Sequence, residues 1–179
     1  MLNRALLAGL VIPGLIMATV TSDRKMANFV QGKRGTVLIF VSSMCPCTDQ
    51  HKSEVKQLMS VSQSRGISYY CVFSNITEND SRIGQFYRNI GWDMPYVHDA
   101  DGRLAKRFGA SRTPQVVMLD SAGQPVYRGP IDDSNKNLGR IEHAYLRNNV
   151  NALLNGESLA FTEIPAIGCW LVTTSDLQK

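Results

Sequence analysis

The sequence has no basic stripe, no internal repeat and no low-complexity segment. The 19 Lys and Arg residues exceed the 15 Asp and Glu residues, which gives a net charge of only +4. The positively charged residues are scattered along the chain. A nucleic-acid-binding surface needs clustered positive charge, so no nucleic-acid partner is expected. Charged residues make up 19% and hydrophobic residues 44%, which excludes a disordered chain. At 179 residues the chain is too short for two ordinary domains, so we expect one domain with a sizeable core.

Charge is also absent from residues 5–22, which follow Arg4. A cationic start and a short apolar stretch are typical of a secretory signal. The same 18 uncharged residues reach the lower length limit of a membrane-spanning helix, although Pro13 and Gly14 weaken such a helix. We therefore expect residues 1–22 to be a signal peptide or a membrane anchor, and the protein to be exported to the periplasm or another extracytoplasmic space. Thiols there meet oxidants and disulfide-exchange partners, so a close cysteine pair is expected to be redox-active or bridged.

Hydrophobic periodicity predicts an α/β sandwich around a mixed sheet. The predicted strands are residues 36–43, 67–73, 95–99, 115–120 and 125–129. The predicted helices are residues 47–65, residues 79–90, a short helix through Leu104 and Phe108, and residues 137–155. These elements define a domain over residues 26–156. The remaining residues 157–179 contain several apolar side chains, so we expect this tail to pack on the domain.

The segment FVSSMCPCT (residues 40–48) places two cysteines where a buried strand ends and a helix begins. Unpaired N–H groups at a helix start stabilise a thiolate, which is the attacking species in disulfide exchange. Pro46 suits the first helical turn because its missing N–H costs nothing there. Cys45 precedes the helix, whereas Cys47 lies on its inward-facing stripe. Cys45 is therefore expected to be the more accessible thiol and the nucleophile.

FVSSMCPC resembles the F-W-A-x-W-C-x-x-C motif of thioredoxins, and more closely the F-W-A-x-W-C-P-P-C motif of TlpA/ResA-type redoxins. Residues 108–129 are similar to the family's G-V-x-x-T-P-T-x-F-L-I-D-x-x-G-x-I-V stretch. Over about residues 30–155 the chain thus resembles the redoxins (TlpA/ResA-like, AhpC/TSA-related) of the thioredoxin-like superfamily. The resemblance implies a thioredoxin-like three-layer sandwich with a mixed central sheet. It also implies a cis peptide bond before Pro114, and backbone hydrogen bonds from Thr113 to a bound partner chain.

The resemblance further implies a thiol–disulfide oxidoreductase, with Cys45 as nucleophile and Cys47 as resolving thiol. Its partners would be protein disulfides or dithiols and an unidentified redox donor or acceptor, and no cofactor is expected. The spacing Cys-Pro-Cys is one residue shorter than in the family, and Ile39 replaces the acid that precedes Phe40 in thioredoxins. A disulfide across so short a ring departs from relaxed geometry and is easily reduced. Cys45 could therefore find its partner elsewhere.

Three cysteine interpretations stay open at the level of the sequence. Cys47 is a resolving thiol or an inert core thiol. Cys169, in the tail sequence IPAIGCWLV, is a buried inert thiol or an alternative resolving partner for Cys45. Cys71 lies in the middle of a predicted strand, where a small core hydrophobe is expected.

Two other functions have some support. A peroxiredoxin-like peroxidase would use the motif P-x-x-x-[TS]-x-x-C; Ser42 fits, but Leu38 replaces the proline and Pro114 replaces the later arginine. A Cu(I)-binding or chaperone domain would use Cys45, Cys47 and His51 as ligands. The stripe that carries His51 points into the core, so a packed histidine is the preferred interpretation and no metal is expected.

Overall fold

The computed structural model describes residues 34–134 and 140–178. The expected signal peptide or anchor, residues 1–22, lies outside the described residues. None of the helices in the described residues has the length and apolar character needed to cross a bilayer.

The strands confirm the predicted mixed sheet. They are β1 Gly35–Val41, β2 Ile67–Phe73, β3 Tyr96–His98, β4 Arg112–Thr113, β5 Gln115–Asp120, β6 Pro125–Gly129 and β7 Cys169–Trp170. The main sheet has five strands in the order β3-β2-β1-β5-β6. β1, β2 and β3 are parallel, whereas β5 is antiparallel to both β1 and β6. β4 and β7 form a separate two-stranded antiparallel sheet.

The helices cover the two faces of this sheet. They are α1 Lys52–Ser62, α2 Asp80–Ile90, α3 Arg103–Phe108 and α4 Tyr145–Asn155. Short 3-10 turns, Pro46–His51 and Gln63–Arg65, flank α1, and a third covers Thr174–Gln178. The predicted helix over residues 47–65 is therefore regular α-helix only in its middle part.

Side chains that alternate along β1 divide the core in two, as expected for a strand covered on both faces. Val37, Ile39 and Val41 belong to one hydrophobic cluster, which includes side chains of α1, α2 and α4. Leu38 and Phe40 belong to the other cluster, which includes side chains of α3. This arrangement confirms the three-layer sandwich and brings the carboxyl end of β1 to the start of the first 3-10 turn.

The predicted end of β1 and the predicted start of the last helix were wrong. β1 ends at Val41 rather than at residue 43, because the carbonyl oxygen of Ser42 accepts a hydrogen bond from the N–H of Cys45, 3.1 Å away, and the chain turns there. The last helix was predicted from residue 137 but begins at Tyr145. Residues 137–139 lie outside the described residues. Just before α4, Asp133 Oδ1 accepts hydrogen bonds from the N–H groups of residues 142 and 143, at 2.9 and 3.0 Å, and these bonds hold the two residues outside the helix.

Candidate active site

Cys45 lies in the loop between β1 and the first 3-10 turn, with an extended backbone (φ −89°, ψ 112°). The loop is held by the buried carboxylate of Glu78. Its Oε1 atom accepts hydrogen bonds from Ser42 Oγ at 2.9 Å and from the N–H of Ser43 at 3.0 Å. These contacts fix the backbone immediately before Cys45. Sequence reasoning missed Glu78, because a single acid in a loop carries no periodic signal.

Three thiols meet at this point. The Sγ atoms of Cys45, Cys47 and Cys169 all lie within 4.8 Å of one another, and each cysteine is a free thiol. Cys45 is 7% exposed, whereas Cys47 and Cys169 are half-buried. The expectation that Cys45 is the more accessible of the Cys-Pro-Cys pair was wrong, because Thr113 and Cys169 cover its sulfur. We call these three residues the thiol cluster.

Within the thiol cluster, Cys45 is the thiol that ionises most readily. Burial raises the pKa of Cys45, but hydrogen bonds from the Cys169 thiol, the Thr113 side chain and the N–H groups of Cys169 and Cys47 together lower it below its usual value. Burial and the neighbouring charge of Cys45 raise the pKa of Cys47. Burial and the interactions with Cys45 also raise the pKa of Cys169, to about 12. Because the thiolate is the nucleophile, these directions favour Cys45 as the attacking group.

Thr113 and Pro114 lie directly beside the thiol cluster. The peptide bond between them is cis, as the resemblance implied. The un-ionised Cys45 thiol donates a hydrogen bond to the carbonyl oxygen of Thr113 at 3.0 Å. The Thr113 hydroxyl is buried and has no oxygen or nitrogen partner among the described residues, which leaves it free to face the sulfur. The side chain of Gln115 accepts hydrogen bonds from the N–H groups of Ser111 and Arg112 and fixes the path of the chain ahead of Thr113.

The third thiol of the cluster, Cys169, lies on β7 in the C-terminal segment of the chain. In the β4–β7 pair Thr113 is opposite Cys169, and Arg112 is opposite Trp170. The Arg112 guanidinium stacks on the Trp170 ring, with Cζ 3.2 Å from the ring centroid. Gly168 lies so close to β4 that a Cβ atom there would be 2.3 Å from the carbonyl oxygen of Thr113. A residue with a side chain could not occupy this place without moving β7.

His51 is not part of the thiol cluster. It is 1% exposed, and its Nδ1 atom is 3.1 Å from Asp132 Oδ2. The packed histidine is thus confirmed, and the alternative copper ligand set that included His51 was wrong. The first 3-10 turn directs His51 into the core towards Asp132. Cys169 instead completes a set of three sulfur ligands with Cys45 and Cys47, a donor set that suits soft cations such as Cu(I).

Exposed apolar side chains flank the thiol cluster. Met44 is 63% exposed and Trp170 is 66% exposed. Next to Met44, a shallow pocket of about 250 Å³ is lined by Cys45, by Asp49 and by residues of α2 such as Phe86. The pocket's other lining residues are mostly polar, so Met44 and Trp170 are single exposed apolar side chains beside the thiol cluster rather than a continuous patch.

Comparisons with known proteins agree with this architecture. A family model described as "Thioredoxin-like domain" matches residues 22–135, which is more than half of the chain. The chain therefore belongs to the thioredoxin-like family. No curated protein sequence matches it significantly.

Solved structures agree with the same fold. The chain is similar to a hypothetical protein from Sinorhizobium meliloti 1021, with 28% identity and a TM-score of 0.74, over 84% of this chain and 85% of that one. It is similar to an uncharacterized conserved protein from Geobacillus kaustophilus, with 27% identity and a TM-score of 0.71, over 79% and 78%. It also shares its fold with a secreted Mycobacterium tuberculosis disulfide oxidoreductase homologous to E. coli DsbE, at 15% identity and a TM-score of 0.51, over 71% and 84%. At this last identity the likeness concerns the fold alone.

Proposed function

We propose that this protein is a thiol–disulfide oxidoreductase that exchanges disulfides with protein partners through Cys45. The observation that carries the proposal is the thiol cluster. A sulfur with a lowered pKa has two further thiols within 4.8 Å, at the junction of a buried strand and a helical turn. An inert structural cysteine needs neither the lowered pKa nor the neighbouring thiols. The fold shared with a protein described as a disulfide oxidoreductase is consistent with this function.

The reaction proceeds in two exchange steps. The Cys45 thiolate attacks one sulfur of the partner's disulfide; a mixed disulfide forms, and the other partner sulfur leaves with the electron pair and takes up a proton. A second thiol of the cluster, Cys47 or Cys169, loses its proton and attacks Cys45 Sγ, which releases the remaining partner thiol. Two thiols of the protein are oxidised to a disulfide, and the partner's disulfide is reduced to two thiols. The reverse sequence oxidises a partner dithiol.

A partner chain would bind along β4, with Thr113 supplying backbone hydrogen bonds and Pro114 contacting the chain. Extended peptides commonly bind by adding a strand to an exposed edge, where main-chain hydrogen bonds supply affinity. A strand paired with Thr113 has its own side chain next to Cys45, since Cys45 Sγ is 3.0 Å from the Thr113 carbonyl oxygen. The exposed Met44, next to Cys45 in the sequence, provides an apolar contact beside this position.

The experiment that tests this function compares Cys45→Ser with Cys71→Ala. Cys71 is fully buried in β2, where its thiol contacts Met94 Sδ at 3.5 Å, away from the thiol cluster. Reduction of a disulfide-bonded protein substrate is followed with the reduced forms of both variants. Cys45→Ser should lose the activity, and Cys71→Ala should retain it. Equal activity of Cys45→Ser and the wild type would contradict the proposal.

We also propose export of the chain, because residues 5–22 carry no charge and follow a cationic start. A fusion of residues 1–25 to a reporter that is active only outside the cytoplasm tests this proposal. Reporter activity is expected. A fusion that stays in the cytoplasm would contradict it.

A second candidate function is the binding of Cu(I) by the thiol cluster. The favouring observation is the mutual 4.8 Å distance of three sulfur atoms, since thiolates prefer soft cations. Anaerobic titration of the reduced protein with Cu(I) separates the two functions. Stoichiometric binding that is lost in Cys169→Ser supports a copper site, whereas binding that is equal in the two proteins excludes this ligand set.

A further inference from the structure

The C-terminal segment occupies the place where a partner strand would bind. Among the described residues, β7 is the strand that pairs with β4, and its Cys169 is opposite Thr113. The pairing continues beyond β7, because the N–H of Leu171 donates to the carbonyl oxygen of Ser111 at 3.0 Å. A partner strand that pairs with Thr113 on this edge would need the position that β7 holds.

The same segment shields the nucleophile. Cys45 is 7% exposed, and Cys169 lies against its sulfur. The segment is fixed from its other side as well, since the carbonyl oxygen of Val172 accepts a hydrogen bond from the N–H of Ile76 at 2.8 Å. Disulfide exchange requires the attacking sulfur to approach a sulfur of the partner directly. A protein disulfide therefore reaches Cys45 only after β7 has moved away.

Cys169 thus has the position of a partner's cysteine: it lies on an antiparallel strand, opposite Thr113 and next to Cys45. Resting on the function proposed above, we propose that the segment of residues 167–173 is an intramolecular substitute for the partner strand. Its departure admits a partner disulfide to Cys45. Its return brings Cys169 back to Cys45, resolves the mixed disulfide and displaces the partner from β4.

The resolving step balances without any further reactant. The Cys169 thiol loses its proton to the solvent, and its thiolate attacks Cys45 Sγ in the mixed disulfide. The bond between Cys45 and the partner's sulfur breaks as the Cys45–Cys169 bond forms. The partner's sulfur leaves with the electron pair and takes up a proton. Resolution and release of the partner are then one event, because the returning strand needs the site that the partner occupies.

Cys169 is better placed for this role than Cys47. A Cys45–Cys47 bridge would close a small ring over a single intervening residue, and a disulfide in so small a ring departs from relaxed geometry. Cys169 comes from a separate strand, so no ring of adjacent residues restricts its bond to Cys45. Gly168 supports this placement, since a Cβ atom there would lie 2.3 Å from the Thr113 carbonyl oxygen. The absence of a side chain at residue 168 allows β7 to lie against β4.

A peptide probe tests the proposal in the full chain. The probe is a synthetic extended peptide with one central cysteine, supplied as its mixed disulfide with thionitrobenzoate. Attack by Cys45 releases coloured thionitrobenzoate and leaves the peptide on Cys45. Resolution then releases the peptide, which is quantified by chromatography after acid quenching. The two steps are therefore observed separately.

The wild type should release both products and yield a Cys45–Cys169 bridge in a peptide map. Cys169→Ser should still release thionitrobenzoate but keep the peptide on Cys45. Gly168→Ala should slow release of the peptide although Cys169 is present, because the added Cβ prevents the return of β7. The matched control is Gly84→Ala in α2, where the added Cβ would meet only the end of the Arg88 side chain at 3.6 Å. This control should release the peptide as the wild type does.

Two results would contradict different parts of the account. If Cys169→Ser releases the peptide as fast as the wild type and the map shows a Cys45–Cys47 bridge, the inference is wrong and the proposed function stands. If Cys45→Ser still releases thionitrobenzoate at the wild-type rate, the proposed function itself is wrong. Because serine is nearly isosteric with cysteine, the Cys169 variant keeps the test valid even if Gly168→Ala does not fold.

Discussion

Substitution of Leu171 by alanine loosens the C-terminal segment from the domain without touching a cysteine. Leu171 is 6% exposed and belongs to the hydrophobic cluster on the α3 side of the sheet. Removal of a buried leucine side chain costs about 2–5 kcal/mol. The side chain leaves this cluster when β7 detaches, so the substitution lowers the free energy of detachment by the same amount. Each 1.4 kcal/mol changes an equilibrium about tenfold, so the detached state should become more than about tenfold more populated.

The assay is alkylation of Cys45 by iodoacetamide, with each cysteine quantified by mass spectrometry. Rates are compared at a pH where Cys45 is fully ionised, so that a changed pKa does not affect the comparison. Leu171→Ala should react more than about tenfold faster than the wild type, in line with the lower cost of detachment. Leu159→Ala is the matched control, because Leu159 lies ahead of β7 in the same tail of residues 157–179 but packs on the opposite cluster. An unchanged Cys45 rate in Leu171→Ala, together with a lower free energy of unfolding, would refute the view that the segment covers Cys45.

Three further predictions concern single contacts. Asp132→Ala leaves the buried His51 without its partner and should lower the free energy of unfolding by about 1–3 kcal/mol in urea denaturation. Burial raises the pKa of Asp132, but the hydrogen bond with His51 has a larger opposite effect together with those of Ser134, so the pKa is lowered overall. The stabilisation is therefore present above the ordinary carboxyl pKa and is lost as the pH falls through the lowered value. If the difference in free energy of unfolding between Asp132→Ala and the wild type were unchanged at acidic pH, this explanation would be contradicted. Glu78→Ala removes the acceptor of two loop hydrogen bonds and should slow exchange at Cys45, measured as thionitrobenzoate release; an unchanged rate would mean that the loop does not need this support. Trp170→Ala removes a cation–π contact worth about 0.5–2 kcal/mol and should accelerate alkylation of Cys45 less than the Leu171 substitution does; a larger acceleration would contradict this ranking.

Local sequence patterns were sufficient for most of the fold. β2, β5 and β6 have the predicted bounds, because each is a short run of strand-forming residues closed by glycine or a turn. α2 begins one residue after its prediction, where the side chain of Asn79 caps the helix by accepting a hydrogen bond from the N–H of Arg82. The start of α4 could not be predicted in this way. It depends on the side chain of Asp133, which binds two N–H groups nine and ten residues further along the chain.

The site was only partly predictable, because some of its residues adjoin in sequence and others are brought together only by the fold. The positions of Cys45 and Cys47 follow from a strand and a helical turn that adjoin in sequence. The position of Cys169 depends on a two-residue strand that pairs with Thr113, and so short a strand has no periodic signal. The exposure of Cys45 was mispredicted for the same reason, since the residues that cover it are distant in sequence. His51 was correctly placed in the core by its helical stripe, but its partner Asp132 was not identified.

The central claim, that Cys45 is the activated nucleophile of the thiol cluster, is tested most directly by the pH dependence of alkylation at each cysteine. Reduced protein is treated with iodoacetamide across the pH range, and the labelling rates of Cys45, Cys47 and Cys169 are resolved by mass spectrometry. The account predicts that Cys45 reaches half of its maximal rate below the ordinary pKa of a cysteine thiol, because hydrogen bonds from Cys169, Thr113 and Cys47 outweigh the effect of burial on its pKa. The other two thiols should reach half-maximal rates above that value. A half-maximal pH for Cys45 at or above the ordinary value, or ionisation of Cys47 or Cys169 before Cys45, would contradict the account.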